Sequence, residues 1–118
     1  MRMATFNILH GRSVHDGSVE LDRLADSIKR LDADIVALQE VDLDQPRSGK
    51  ADLTAVAADA MGAVSHRFVA AISGTPAATW MAATGREQPG TAAYGIALLS
   101  RFLAESWQVV HLPRIPVP

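Results

Sequence analysis

Two polar residues, Asn7 and Glu40, follow predicted strands of this 118-residue chain at points where they could do metal or phosphate chemistry. Glu40 comes after the apolar run 35–38 and Gln39, and Asn7 lies near the end of an N-terminal strand. A carboxylate at such a strand end could hold Mg²⁺ or Mn²⁺, and a neighbouring amide could hold a phosphate. On spacing alone, a solvated strand end and a turn residue are the simpler interpretation.

The elements that would position these residues follow from hydrophobic periodicity. Residues 2–9 are predicted as a strand, and the unbroken apolar run 35–38 is typical of a strand buried on both faces. Between them, apolar residues recur at three- and four-residue steps, which predicts a helix over 21–31 with Ser18 as its N-cap. Together they predict a β-α-β unit with parallel strands and a right-handed crossover.

The remainder of the chain predicts a second helix and three further strands. The helix covers 53–61 and ends at Gly62, and the strands cover 66–73, 94–100 and 104–111. A loop rich in glycine, alanine, threonine and proline fills 74–92. The expected fold class is therefore α/β with the element order β-α-β-α-β-β-β, in one domain over 1–118.

Several other side chains are candidates for the same site, each with a plain alternative. His10 lies three residues after Asn7 and could contact substrate, although a solvated loop histidine explains it as well. Asp42 and Asp44 could extend an acidic patch around Glu40, but a solvated strand exit is the favoured interpretation. Three loop arginines could flank a phosphate or simply be surface residues: Arg12, Arg47 and Arg86.

Composition excludes several function classes. The net charge of −2 indicates no basic surface for nucleic acid, and the absence of cysteine excludes disulfides and thiolate catalysis. No histidine spacing is typical of a zinc site. Without a signal peptide or an apolar run of about 18 residues, the sequence predicts a cytoplasmic protein with no membrane span.

Three segments in order, TFNILHG at 5–11, ADIVALQEVD at 33–42 and YGIALLSR at 94–101, resemble the endonuclease/exonuclease/phosphatase superfamily. This deoxyribonuclease I-like family has a four-layer sandwich of two sheets flanked by helices. The resemblance implies a divalent-metal-dependent phosphoester hydrolase that uses Mg²⁺ or Mn²⁺. It makes Glu40 the principal metal-binding carboxylate and lets Asn7 help to position metal or phosphate. It places 94–101 as a core strand near the site, where Tyr94 could contact phosphate or could equally be a packing residue at the strand edge.

The chain also departs from the family pattern. The family's later Asp-x-Asn and Ser-Asp-His motifs, which supply the general base, are absent, and Asn7 is the sole asparagine. The expectation is an N-terminal, truncated portion carrying about half of the sandwich, whose exposed core could promote self-association. A phosphoester is the expected substrate, and nucleic acid stays open because the family includes nucleases. The alternative is a non-catalytic remnant that acts as a binding or oligomerising half-domain.

A receiver domain of two-component signalling is a further alternative, because β-α alternation at this length suits one. A receiver needs a phosphorylatable aspartate at the end of a central strand and a lysine on a late strand. Here the apolar run ends in Gln39 and Glu40, and the two lysines, Lys29 and Lys50, lie too early in the chain. The sequence therefore favours the hydrolase family.

Overall fold

The computed structural model of the protein describes residues 1–13, 15–76 and 80–113. Two helices and five strands make up its regular structure. They are β1 (Met3–Asn7), α1 (Leu21–Leu31), β2 (Ile35–Leu43), α2 (Leu53–Met61), β3 (Ser65–Ser73), β4 (Met81–Ala82) and β5 (Ala93–Ser100).

The strands form a single sheet in the order β1-β2-β5-β3-β4. β1 and β2 are parallel, as the β-α-β prediction requires, whereas β5 pairs antiparallel with both β2 and β3. This mixed α/β arrangement confirms the predicted fold class. It also puts β5 at the centre of the sheet, where its residues can meet groups from both neighbours.

The hydrophobic core lies between the sheet and the two helices. Val36, Leu38 and Val41 of β2 and Leu99 of β5 are almost fully buried there, together with Ile28 of α1. The apolar spacing that predicted α1 therefore reflects one face turned to the sheet. Each such side chain contributes roughly 1.5–3 kcal/mol when it is removed from water, so this layer holds the sheet in place.

Gly95 of β5 is required because β3 passes very close to it. A methyl group at this position would collide with the carbonyl oxygen of Val69 and with the backbone of Ala70. The β3–β5 pairing is irregular just beyond, between Ala70 and Ile72. The glycine in the motif YGIALLS thus permits close approach of two backbones at the centre of the sheet.

The opposite face of the sheet is only partly covered. Ile96 and Leu98 of β5 are 55% and 40% exposed on this side, and Met3 of β1 is also exposed. Trp107 and Val109 lie beside them along a groove. An apolar face of this kind is what one sheet of a two-sheet sandwich presents to the other. Self-association through this open face stays a prediction.

The structure differs from the predicted elements in three details. Glu20, not Ser18, precedes α1, and the Ser18 hydroxyl donates to Asp16 instead of capping the helix. The segment 104–111 is not a strand, because β5 is already paired on both sides and offers this segment no free edge. The short β4 lies within the predicted loop 74–92 and pairs with the end of β3.

Within the described part of the chain, no helix is both long enough and apolar enough to cross a membrane.

Candidate active site

A bulge in β2 sets the position of Glu40. Leu38 pairs with Ala97 and Val41 with Gly95, so Gln39 and Glu40 together face one residue of β5. Glu40 has a φ of 56°, a left-handed backbone conformation that is unfavourable for a glutamate inside a strand. Non-glycine residues in this region persist where the surroundings impose them, and such sites are often functional.

The bulge also decides which side chains reach the open face. Because it adds one residue, Leu38 and Val41 both point into the helix-covered core. Asp42 is thereby turned to the opposite side of the sheet, where it lies directly across from Tyr94 of β5. A regular strand would instead have sent Asp42 into the apolar core with Leu38.

Asn7 lies at the same edge of the sheet as Glu40, as expected for the carboxyl ends of adjacent parallel strands. In the β1–β2 register Asn7 is opposite Gln39, the residue before Glu40. The Asn7 side-chain oxygen accepts a hydrogen bond from the backbone N–H of Leu9 at 3.0 Å. This bond helps to turn the chain, and the side chain stays exposed and can accept a further contact.

His10 lies in the tight turn that follows, with a φ of 44°. Its imidazole is half-buried, and burial lowers its pKa below the ordinary value, with the nearby Arg47 guanidinium adding to the effect. The carboxylates of Asp42 and Glu40 are close enough to oppose that shift. The structure therefore brings His10 into the neighbourhood of Glu40, as the sequence suggested, in its neutral form at pH 7.

Tyr94 is the half-buried second residue of β5, directly across from Asp42 in the β2–β5 register. Burial raises the pKa of its phenol to about 12, and a hydrogen-bonding interaction with the Glu40 carboxylate adds to the increase. The phenol is thus a proton donor across the whole physiological range. Its position beside Glu40 agrees with the placement that the sequence suggested, whereas its role as a phosphate contact stays a prediction.

Asp42 and Arg47 form a pair that the sequence did not predict, although each was a candidate for the site by itself. Asp42 was expected to be a solvated strand exit, and this is wrong because it is fully buried. Both of its oxygens accept hydrogen bonds from Arg47, at 2.8 Å from Nε and 2.7 Å from Nη2. The sequence feature that could have indicated this pair is Arg47 itself, which lies five residues after Asp42 in the turn that begins at Pro46.

Arg47 also contacts two aromatic rings. Its guanidinium carbon lies 5.5 Å from the centre of the Tyr94 ring and 5.9 Å from that of Trp80, within range of a cation–π interaction. The two rings are themselves 5.6 Å apart, centre to centre, at an angle of 46°. Arg47 therefore joins the buried carboxylate to an aromatic pair at the edge of the site.

The oxygen atoms of Glu40 and Asn7 fit one kind of divalent-metal site. Among the described residues no three histidines, aspartates or glutamates cluster as a metal cage, and both oxygens of Asp42 are used by Arg47. Glu40 remains as a carboxylate, with the Asn7 oxygen at the same sheet edge. Mg²⁺ is commonly bound through only one or two carboxylates, with waters and substrate phosphates completing its shell. These residues suit that type of site.

Comparison with known proteins identifies the class. The model of the endonuclease/exonuclease/phosphatase family matches residues 4–118, and the chain belongs to this family. A crystal structure of an endonuclease/exonuclease/phosphatase from Beutenbergia cavernae DSM 12333 is similar over 86% of the chain, with a TM-score of 0.64 and 27% identity. The chain spans 26% of that protein's length. No curated protein matches the sequence.

Proposed function

We propose that this chain provides the metal-binding edge of a divalent-metal-dependent phosphoester hydrolase, with Glu40 as the principal ligand for Mg²⁺ or Mn²⁺. Membership of a family of phosphoester hydrolases supports the reaction class. The observation that carries the assignment to Glu40 is its place in a β-bulge with a left-handed φ of 56°. Such a costly conformation is expected where a side chain must be aimed at a ligand.

The surrounding residues have separate tasks in this proposal. A divalent ion on Glu40 would polarise the phosphoryl group and stabilise the charge that develops on it. Asn7 orients the metal or the phosphate from the adjacent strand. Neutral His10 and the protonated phenol of Tyr94 each offer a hydrogen bond to phosphate oxygens, and Tyr94 also holds the carboxylate of Glu40 in one orientation.

A general base is not evident in the described part of the chain. No histidine there forms an ion pair with a carboxylate, and the ion pairs that the structure shows all involve arginine. We therefore assign this chain the binding and orienting part of the reaction. The negative net charge also makes a small phosphoester a better substrate than long duplex DNA, which demands cationic contacts.

A binding or oligomerising half-domain is the second candidate. The exposed Ile96 and Leu98 on the open face favour it, since apolar residues on a sheet face usually pack against something. Metal binding distinguishes the two functions. Mn²⁺ binding that depends on Glu40 would support the metal-binding edge, whereas self-association through Ile96 and Leu98 without any Mn²⁺ binding would support the half-domain.

The test of Glu40 is a calorimetric titration of the chain with Mn²⁺. Glu40→Gln keeps the size of the side chain and removes the charge, so we expect the affinity to fall by at least about tenfold. Glu105→Gln is the matched control, because Glu105 is exposed and lies outside the site, and it should bind like wild type. Equal affinity of wild type and Glu40→Gln would contradict the proposal.

A further inference from the structure

The pairing of Asp42 with Arg47 is unusual for a site that needs negative charge. Asp42 is fully buried, at the same edge as Glu40, yet both of its oxygens are occupied by Arg47. A carboxylate held in this way has little capacity left for a metal ion. Its function must therefore lie in what it does to Arg47.

Asp42 holds Arg47 in one orientation. Two parallel hydrogen bonds of 2.8 and 2.7 Å, from Nε and Nη2, leave the planar guanidinium no rotational freedom. The pairing also places Arg47 over the ring of Tyr94, at 5.5 Å from its centre. Because Tyr94 is the cross-strand partner of Asp42, the carboxylate, the guanidinium and the phenol ring form one compact group.

We propose that Arg47, oriented by Asp42, is a positioning residue that holds the ring of Tyr94 against Glu40. Tyr94 is half-buried near the start of β5, and its phenol has a hydrogen-bonding interaction with the Glu40 carboxylate. Backbone pairing alone does not select one orientation of its ring. Arg47 packs on the ring from one side and Trp80 lies 5.6 Å away. The consequence for metal binding rests on the function proposed above for Glu40.

A purely structural ion pair is the competing explanation, and the chain contains a matched example. Arg101 has the same side-chain exposure as Arg47, 33%, and also pairs with aspartates, but it lies at the other end of β5. A structural role predicts that changes at Arg47 and Arg101 affect Tyr94 equally. A positioning role predicts that only changes at Arg47 do.

The experiment uses the fact that Tyr94 is the one tyrosine of the chain. Ring-labelled ¹³C-tyrosine then gives an unambiguous NMR signal, and its relaxation measures the order parameter of the ring. In the wild type we expect a rigid ring, with a value near about 0.85. In Arg47→Lys, which keeps the charge but loses the planar fork, we expect a value below about 0.6. Arg101→Lys should leave the ring rigid.

If Arg47→Lys does not fold, a second variant tests the same proposal. Asp42→Leu combined with Arg47→Met replaces both charges by apolar groups, an exchange that buried ion pairs often tolerate. The same loss of ring order is expected there. A rigid ring in either variant, or equal loss of order in Arg101→Lys, would overturn the proposal.

Mn²⁺ affinity separates this inference from the proposed function. Arg47→Lys should weaken Mn²⁺ binding about threefold when Tyr94 is present. When Tyr94→Phe has already removed the phenol, adding Arg47→Lys should not change the Mn²⁺ affinity further, because the effect acts through the phenol. An equal effect in both backgrounds would show that Arg47 acts directly and would overturn the positioning role. If wild type binds no Mn²⁺ while the ring order responds as expected, the proposed function fails and the positioning role stands.

Discussion

An arginine lies at each end of β5, Arg101 directly after the strand and Arg47 packed against Tyr94 from the turn after β2, and the two are used differently. At the end near Ser100, Arg101 donates through Nε to the carbonyl oxygen of Met61 at 2.9 Å and pairs with Asp32 and Asp34 at 3.2 and 3.7 Å. The Asp32 side chain is 70% exposed. These contacts connect the end of the sheet to the ends of both helices. Because the charged groups stay accessible to water, the free energy of desolvation is small.

At the Tyr94 end, Arg47 is paired with a carboxylate that has no exposure at all. Burying a carboxylate is unfavourable even when it is paired, and such pairs are often no more stable than apolar replacements. The same end contains Glu40 with its left-handed backbone. Asp32 at the Arg101 end is also left-handed, with a φ of 43°, but it follows the end of α1, where this conformation is common, whereas Glu40 lies within a strand. The Arg101 end therefore uses exposed pairs, and the Tyr94 end holds a buried charge and a strained strand residue.

The largest expected effect comes from breaking the strand that connects the two ends. Gly95→Ala places a methyl group against the Val69 carbonyl oxygen, which cannot move without separating β3 from β5. We expect a loss of at least about 4 kcal/mol of unfolding free energy, measured by urea denaturation. Gly49→Ala is the control: its φ is 69° but nothing lies within 4 Å, so it should cost only about 1 kcal/mol. Similar losses for both would contradict the close approach.

The comparison of the two ion pairs can be tested directly. Asp42→Ala leaves Arg47 without its buried partner, and we expect a loss of about 3 kcal/mol in unfolding free energy. Asp32→Ala removes an exposed partner of Arg101 and should cost less than about 1 kcal/mol. Urea denaturation of the two variants, side by side, measures the difference. Equal losses would show that the two ends of β5 do not differ as their burial indicates.

Much of the scaffold was predictable because periodic patterns record burial. The three- and four-residue spacing of α1 and the apolar run of β2 gave those elements and their parallel pairing with β1. Asn7 and Glu40 were predicted at one edge because parallel strands end together. The strand expected at 104–111 was wrong, since local apolar content does not reveal that the preceding strand, β5, is already paired on both sides.

The part of the site that escaped prediction depends on the bulge. A bulge is a property of two paired strands, and it appears in neither strand's own pattern. The sequence does not show the bulge, so it favours a solvated strand exit for Asp42 and does not predict the pairing with Arg47. The contact between Arg47 and Tyr94 likewise joins residues from separate elements, which one sequence alone does not bring together.

A smaller effect of opposite sign is expected at Glu40. Glu40→Gly relieves the left-handed backbone and should stabilise the fold by up to about 1 kcal/mol, while Mn²⁺ binding is lost. Glu40→Gln, which keeps a β-carbon, should bind poorly without gaining stability. Thermal denaturation and calorimetric titration of both variants measure this separation of stability from binding. A destabilised Glu40→Gly would show that the bulge is not strained.

The smallest expected effect is a pH dependence from His10. Its pKa is lowered in the folded protein from the ordinary 6.5, first by burial and then by Arg47, so the unfolded chain takes up the proton first. Stability should therefore decline as pH falls below about 6.5 and level off once the folded state is also protonated. His10→Gln should remove this decline, which urea denaturation midpoints between pH 7.5 and 5 would measure. Above pH 7 the variant should follow the wild type, because His10 is unprotonated there in both the folded and the unfolded state. An unchanged slope in the variant would mean that the turn at Leu9–Gly11 does not hold His10 in a half-buried position near Arg47.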